Sequence, residues 1–234
     1  MWTREGTVPD PSCRVTITAD GTDVELKAGV DFLPHRASPE GDVDAEAAFV
    51  GYAIEASKWG YNDFRSIRLD NRVAVAFWHE PREAKSGKAF EGTEWTRHAS
   101  VYEKAKRAAS EGARALLLVQ DPLHEPHDRA PDFQWPLLPG WNGGPRDKKC
   151  PIPVMWLSLA AGEAVTGMDL RAVHSSLDRN LRKSRSKVLD GRQVSLRIKF
   201  RKQQIEVPNV VGRIQGSEPE LGAVVVGAHF DHAG

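Results

Sequence analysis

Residues 14–19 (RVTITA) and 23–28 (DVELKA) alternate apolar and polar positions, and Asp20-Gly21 lies between them. A period of two marks a half-buried strand, and Asp-Gly suits a two-residue hairpin turn. Residues 47–54 (AAFVGYAI) predict another strand, and 72–78 (RVAVAFW) one buried on both faces. The connection between them, 58–71 (KWGYNDFRSIRLDN), is polar and turn-rich. From 96 to 111 the pattern becomes helical, rich in Ala, Lys and Glu, with Gly112 as a stop. The apolar run 113–119 (ARALLLV) follows directly. Helix, glycine, then buried strand is an α/β connection, so the fold class expected is α/β (α+β).

Residues 121–153 hold eight prolines with Trp135, Trp141 and Gly143-Gly144, a density at which no regular element persists. A further strand is expected at 152–157 (IPVMWL), then a short helix from 159 capped by Ser158 and another from Asp169 through Arg182. After Gly191, the residues Val194, Leu196, Ile198 and Phe200 alternate with Ser195, Arg197 and Lys199, a strand with one wet face. The chain stays extended over 205–214, turns at 216–222, and forms an apolar strand at 223–228 (AVVVGA) before HFDHAG. The segment 192–234 is expected to be weakly protected, because local pattern provides no neighbours for its apolar strand.

Composition narrows the function classes. Lys plus Arg (32) equal Asp plus Glu (32), so no global field favours nucleic acid or an anionic membrane. The basic run 179–187 lacks interleaved aromatic residues for base stacking and reads as a solvated helix end. No apolar run reaches the ~20 residues of a membrane span. The first residues show no signal-peptide core. Cys13 and Cys150 read as free thiols.

Chemistry concentrates in the tail. His229, Asp231 and His232 supply imidazole and carboxylate within four positions, directly after an apolar strand. Those groups are natural zinc ligands, and on an extended chain His229 and Asp231 face the same side, as a ligand and its orienting acid would. By composition alone the same residues also read as an exposed tail. His124 and His127 lie among prolines and read as a solvated loop, and His79-Glu80 lacks the second histidine of the helical zinc-protease motif. No glycine-rich phosphate loop or Gly-x-Ser-x-Gly elbow is present. Trp135 and Trp141 read as anchors of the proline-rich loop, with a substrate or partner surface as the alternative.

Several pieces, taken in order, resemble the protease-associated domain of co-catalytic zinc exopeptidases of the aminopeptidase Y and glutamate carboxypeptidase type. These are DFLP (31–34), FVGYAI (49–54), YNDF (61–64), RVAVAFWHEP (72–81), KAKRAASEGARALLLV (104–119) and IPVMWLS (152–158). Residues 207–234 resemble the entry to the peptidase domain. The resemblance implies an N-terminal hairpin at 1–29, a protease-associated domain at 30–190 with a proline-rich loop at 121–151, and a truncated start of the zinc-peptidase domain at 191–234. His229 matches the family's first zinc-ligand histidine and Asp231 its catalytic, orienting acid, whereas His232 receives no role. The family's site holds two zinc ions that polarise the scissile carbonyl and activate a bridging water, with a glutamate as general base.

The implied partner is a peptide substrate, with no nucleic acid and no membrane, and the oligomeric state is left open. The family implies a secreted, periplasmic or cell-surface location. Ala53 stands where the family usually has glycine, 77–79 is bulkier than usual, and the remaining metal ligands do not follow His229 within these residues. The chain alone is therefore expected to be inactive, and the alternative function is a stand-alone protease-associated domain for protein contact or substrate gating. The tail also fits the end of the metallo-β-lactamase signature, but that pattern's first histidine would fall on Gly227.

Overall fold

The computed structural model describes residues 2–82, 90, 95–122, 148–181, 184–207, 212, 214, 226 and 227, with 2–6 and 205–207 described as backbone. The strands are β1 Trp2–Pro9, β2 Arg14–Ala19, β3 Thr22–Glu25, β4 Phe32–Pro34, β5 Gly41–Phe49 and β6 Glu55–Ala56. They continue as β7 Tyr61–Asn62, β8 Val73–Phe77, β9 Ala115–Val119, β10 Val154–Leu157, β11 Lys187–Ile198 and β12 Phe200–Val207. The α-helices are α1 Val101–Ser110, α2 Leu159–Thr166 and α3 Leu170–Arg179. An eight-stranded sheet in the order β3-β2-β11-β5-β8-β9-β10-β4 makes this a mixed α+β fold, the expected class. Strands β5, β8, β9 and β10 run parallel, and the others pair antiparallel.

The parallel strands are apolar throughout because both faces are covered. Val73, Val75 and Phe77 of β8 join one core with Ala161, Val165, Leu170 and Leu177 from α2 and α3. Ala74 and Ala76 join a second core with Ala105 and Ala108 of α1. The expected hairpin forms β2 and β3, with Ala19 opposite Thr22. Asp20 and Gly21 take φ values of 51° and 74°, the positive pair of a type I′ turn. Ser158 and Asp169 cap α2 and α3 by accepting from Ala161 N (3.2 Å) and Ala172 N (2.9 Å).

Several bounds differ from expectation. Strand β5 starts at Gly41, where Val43 and Ala45 are buried between exposed acids, and it ends at Phe49 because the chain turns through Gly51 (φ 54°) and Ala53 (φ 55°). The helix expected from 96 opens as a 3-10 turn at Arg97–Ala99, and an extended Ser100 separates it from α1. Strand β1 lies outside the elements that the local pattern marks. It pairs along its length with β12, from Trp2 opposite Val207 to Pro9 opposite Phe200.

The expectation of weak protection fails for 192–198. Strand β11 lies between β2 and β5, and Val194 (0%), Leu196 (2%) and Ile198 (0%) are buried. Its neighbours come from far earlier in the sequence, which a local pattern cannot reveal. One sheet thus unites residues from before 30, from 30–190 and from beyond 190. Of the strand expected at 223–228, the described residues are Val226 and Gly227, both exposed and outside regular structure. Cys13 and Cys150, expected as free thiols, are free, and both are buried. No described helix is long and apolar enough to cross a membrane.

Candidate functional site

The carboxyl ends of parallel strands are where such sheets gather polar groups. Beyond β5, the carboxylate of Asp63 accepts from Tyr52 N (2.9 Å), Ile54 N (3.1 Å) and the Tyr61 hydroxyl (2.8 Å). Lys104 of α1 is buried beside this turn, and its ammonium donates to the carbonyls of Tyr52 and Phe77. Burial pushes the Asp63 carboxyl up to about 7, against the opposing pull of Tyr61, the two backbone donors and Lys104. Burial likewise drives the Tyr52 and Tyr61 phenols upward.

Tyr52 also ties this turn to α3. Its hydroxyl lies 2.9 Å from His174 Nε2 and donates to Asp178 Oδ1 at 3.2 Å. Asp178 in turn accepts from Arg82 N at 3.0 Å. After β9, Asp121 accepts from Trp78 N (3.1 Å) and His79 N (3.0 Å), and His79 Nδ1 lies 3.0 Å from Asp121 Oδ2. Glu80 accepts from the backbone and hydroxyl of Thr96 at 2.9 and 2.6 Å. Asp63, Glu80 and Asp121 are all buried and hold backbone N–H groups. Their chemistry is positional: they fix the loops at the strand ends.

Those loops enclose two adjoining cavities, of about 310 Å³ and about 670 Å³, which meet at Glu55, Arg97 and His98. Trp59 lines the larger one and stacks on buried Phe90 at 4.5 Å, while the partly exposed Trp95 stacks on His79 at 4.6 Å. Partial burial, reinforced by the nearby Arg97 charge, lowers the His98 pKa from its usual 6.5.

His229, Asp231 and His232 lie outside the described residues, as do His124, His127, Trp135 and Trp141. Among the described residues no group of three or more His, Cys, Asp or Glu side chains is arranged to hold a metal. His79 and Glu80, adjacent in sequence, engage Asp121 and Thr96 respectively. The polar cluster around Asp63 and Lys104 escaped sequence reasoning. Its one visible signal is an acid within the aromatic turn Tyr61-Asn62-Asp63-Phe64.

No family model matches this sequence, and no curated protein matches it. Among solved structures, an aminopeptidase from Aneurinibacillus sp. strain AM-1 is similar over 87% of this chain and 34% of its own, at 14% identity and a TM-score of 0.43. The zinc aminopeptidase BSAP from Bacillus subtilis is similar over 86% of this chain and 35% of its own, at 17% identity and a TM-score of 0.40. A peptidase M28 precursor from Shewanella amazonensis SB2B is similar over 86% of this chain and 38% of its own, at 12% identity and a TM-score of 0.38. The chain spans about a third of the length of these structures.

Proposed function

We propose that this chain is part of a zinc-dependent exopeptidase of the aminopeptidase kind. Residues 30–190 make up most of its protease-associated domain, whose sheet also takes in β2 and β3 from 1–29 and β11 across residue 190, and its peptidase domain begins after that sheet. His229 is a zinc ligand, Asp231 orients its ring, and the substrate is a peptide. The observation that carries this reading is the sequence His229-Phe230-Asp231-His232 after an apolar run, behind six segments in the family's order. The fold supports it, because three of those segments form β8, β9 and β10 as consecutive parallel neighbours.

A pair of zinc ions needs more ligands than His229 and Asp231 provide. The 234-residue polypeptide alone therefore holds no zinc pair. Zinc titration followed by NMR of the histidine rings tests the assignment. The account expects weak binding that perturbs His229, vanishes in His229→Ala, and falls about 10–100-fold in Asp231→Asn. An undisturbed His229, or an Asp231→Asn chain that binds as well as the parent, would contradict it.

A second reading is a stand-alone protease-associated module. One observation favours it: among the described residues, the two hydrophobic cores draw on positions from Cys13 to Phe200. Peptide binding by a full chain in which zinc leaves the His229 ring undisturbed would favour this reading over the first.

A further inference from the structure

We infer that the groove formed by Trp59, Trp95, Arg97 and His98 binds a short acidic peptide segment. This inference rests on the described groove alone and needs neither a metal nor hydrolysis. The two joined cavities, of about 310 and 670 Å³, are in the size range of binding clefts, roughly 300–1,000 Å³.

The groove is built on rings held from behind. Trp59 rests on Phe90, which in turn meets the ring of Tyr61 at 5.4 Å. Trp95 rests on His79, itself stacked on Trp78 at 4.3 Å. The next residue, Thr96, is fixed by Glu80, and its hydroxyl accepts from His98 N at 3.2 Å, which sets the 3-10 turn presenting Arg97 and His98. A ligand meeting such a surface has little side-chain entropy left to remove, so contact energy is retained as affinity.

Charge selects the ligand. Arg107 is spent on Glu55 (3.1 Å) and Glu111 (2.5 Å), and Arg68 also pairs with Glu111 (3.0 Å), which neutralises that corner. Lys58 lies over the Trp59 ring at 4.9 Å. Arg97 and Lys106 are exposed and make no side-chain ion pair among the described residues, with Glu103 the remaining acid on the lining. The excess is positive, whereas the chain as a whole balances 32 basic against 32 acidic residues. Glu55 and Glu103 can accept from peptide N–H groups, donors that a phosphodiester backbone does not offer. Carboxylates of the ligand would meet Arg97 and Lys106, and an apolar side chain would lie against Trp59 and Trp95.

Calorimetry and NMR on the full 234-residue chain test this with three blocked peptides: Glu-Glu-Phe-Glu-Glu, Lys-Lys-Phe-Lys-Lys and Ser-Ser-Phe-Ser-Ser. The expected result is preference for the acidic peptide, shifts at the Trp59 and Trp95 indole N–H signals, and weakening at high salt. Arg97→Glu and Lys106→Glu each weaken binding about tenfold or more with unchanged melting temperature. Arg14→Glu, an exposed change on β2, leaves affinity intact. Equal affinity for acidic and basic peptides, absence of binding at millimolar peptide, or shifts confined to other tryptophans would overturn the inference. So would an Arg97→Glu effect no larger than that of Arg14→Glu, or tighter binding of single-stranded oligothymidylate than of the acidic peptide.

Discussion

The Asp63 carboxylate occupies the space that a side chain at Gly51 would need: a Cβ there would lie 2.2 Å from Asp63 Oδ1. Gly51 also has φ +54°, in the left-handed region. A Gly51→Ala change therefore strains the backbone and displaces the acceptor that holds Tyr52 and Ile54. The expected loss is about 3 kcal/mol, a fall in melting temperature of roughly 6–12 °C, read by thermal unfolding.

Asp63 makes stability depend on pH. Its carboxyl is raised from 3.8 to about 7 in the folded chain, so the folded state binds this proton more tightly than the unfolded state does. The associated stability is complete below about pH 4, is lost as pH rises toward 7, and is constant above, with a slope of at most ~1.4 kcal/mol per pH unit. Asn at this position keeps an oxygen for Tyr52 N and Ile54 N and carries no titrating proton. Urea unfolding from pH 4 to 8 should show that slope in the parent chain and not in Asp63→Asn; parallel curves would remove Asp63 as the cause.

Lys104 lies on the other side of the same turn. Lys104→Met keeps the apolar stem but leaves the Tyr52 and Phe77 carbonyls without their donor, for an expected loss of about 2–4 kcal/mol. It also removes a cation that lowers the Asp63 pKa, so the pH-dependent decline should move to higher pH. Melting and the Asp63 titration are the two readouts.

Cys13 is held at the bend between β1 and β2, where its Sγ donates to Lys199 O (3.1 Å) and accepts from Lys199 N (3.3 Å). Burial pushes its thiol pKa up. Neither cysteine should react readily with a chromogenic disulfide in the native chain, and both should react in guanidinium. Rapid native labelling of one thiol would show that its site opens.

Much of the sheet was legible because its signals are local. Asp20-Gly21 between alternating runs specifies the β2–β3 turn, and the apolar runs of β8 and β9 imply a strand covered on both faces. What escaped was non-local. The sequence of β1 carries no clear alternation, and its partner β12 lies nearly 200 residues away, from Phe200 to Val207. The central place of β11 depends on β2 and β5 in the same way. The site divides likewise: His229 and Asp231 are visible as a short motif, whereas Asp63, Lys104 and His174 meet only after the crossovers close. Arg97 and His98 fall within the helix expected from 96, and the break that turns them into the groove comes at Ser100, whose spacing to Glu103 is the local mark of a helix start inside an otherwise continuous run.

Zinc content and hydrolysis measured together on the purified 234-residue chain test the central claim most directly. With micromolar zinc supplied and removed by gel filtration, elemental analysis should find well under one zinc per chain, and an aminoacyl anilide should release no chromophore. Two retained zinc ions with chromophore release abolished by a chelator would contradict the account, because a working two-metal centre would then lie wholly within these residues.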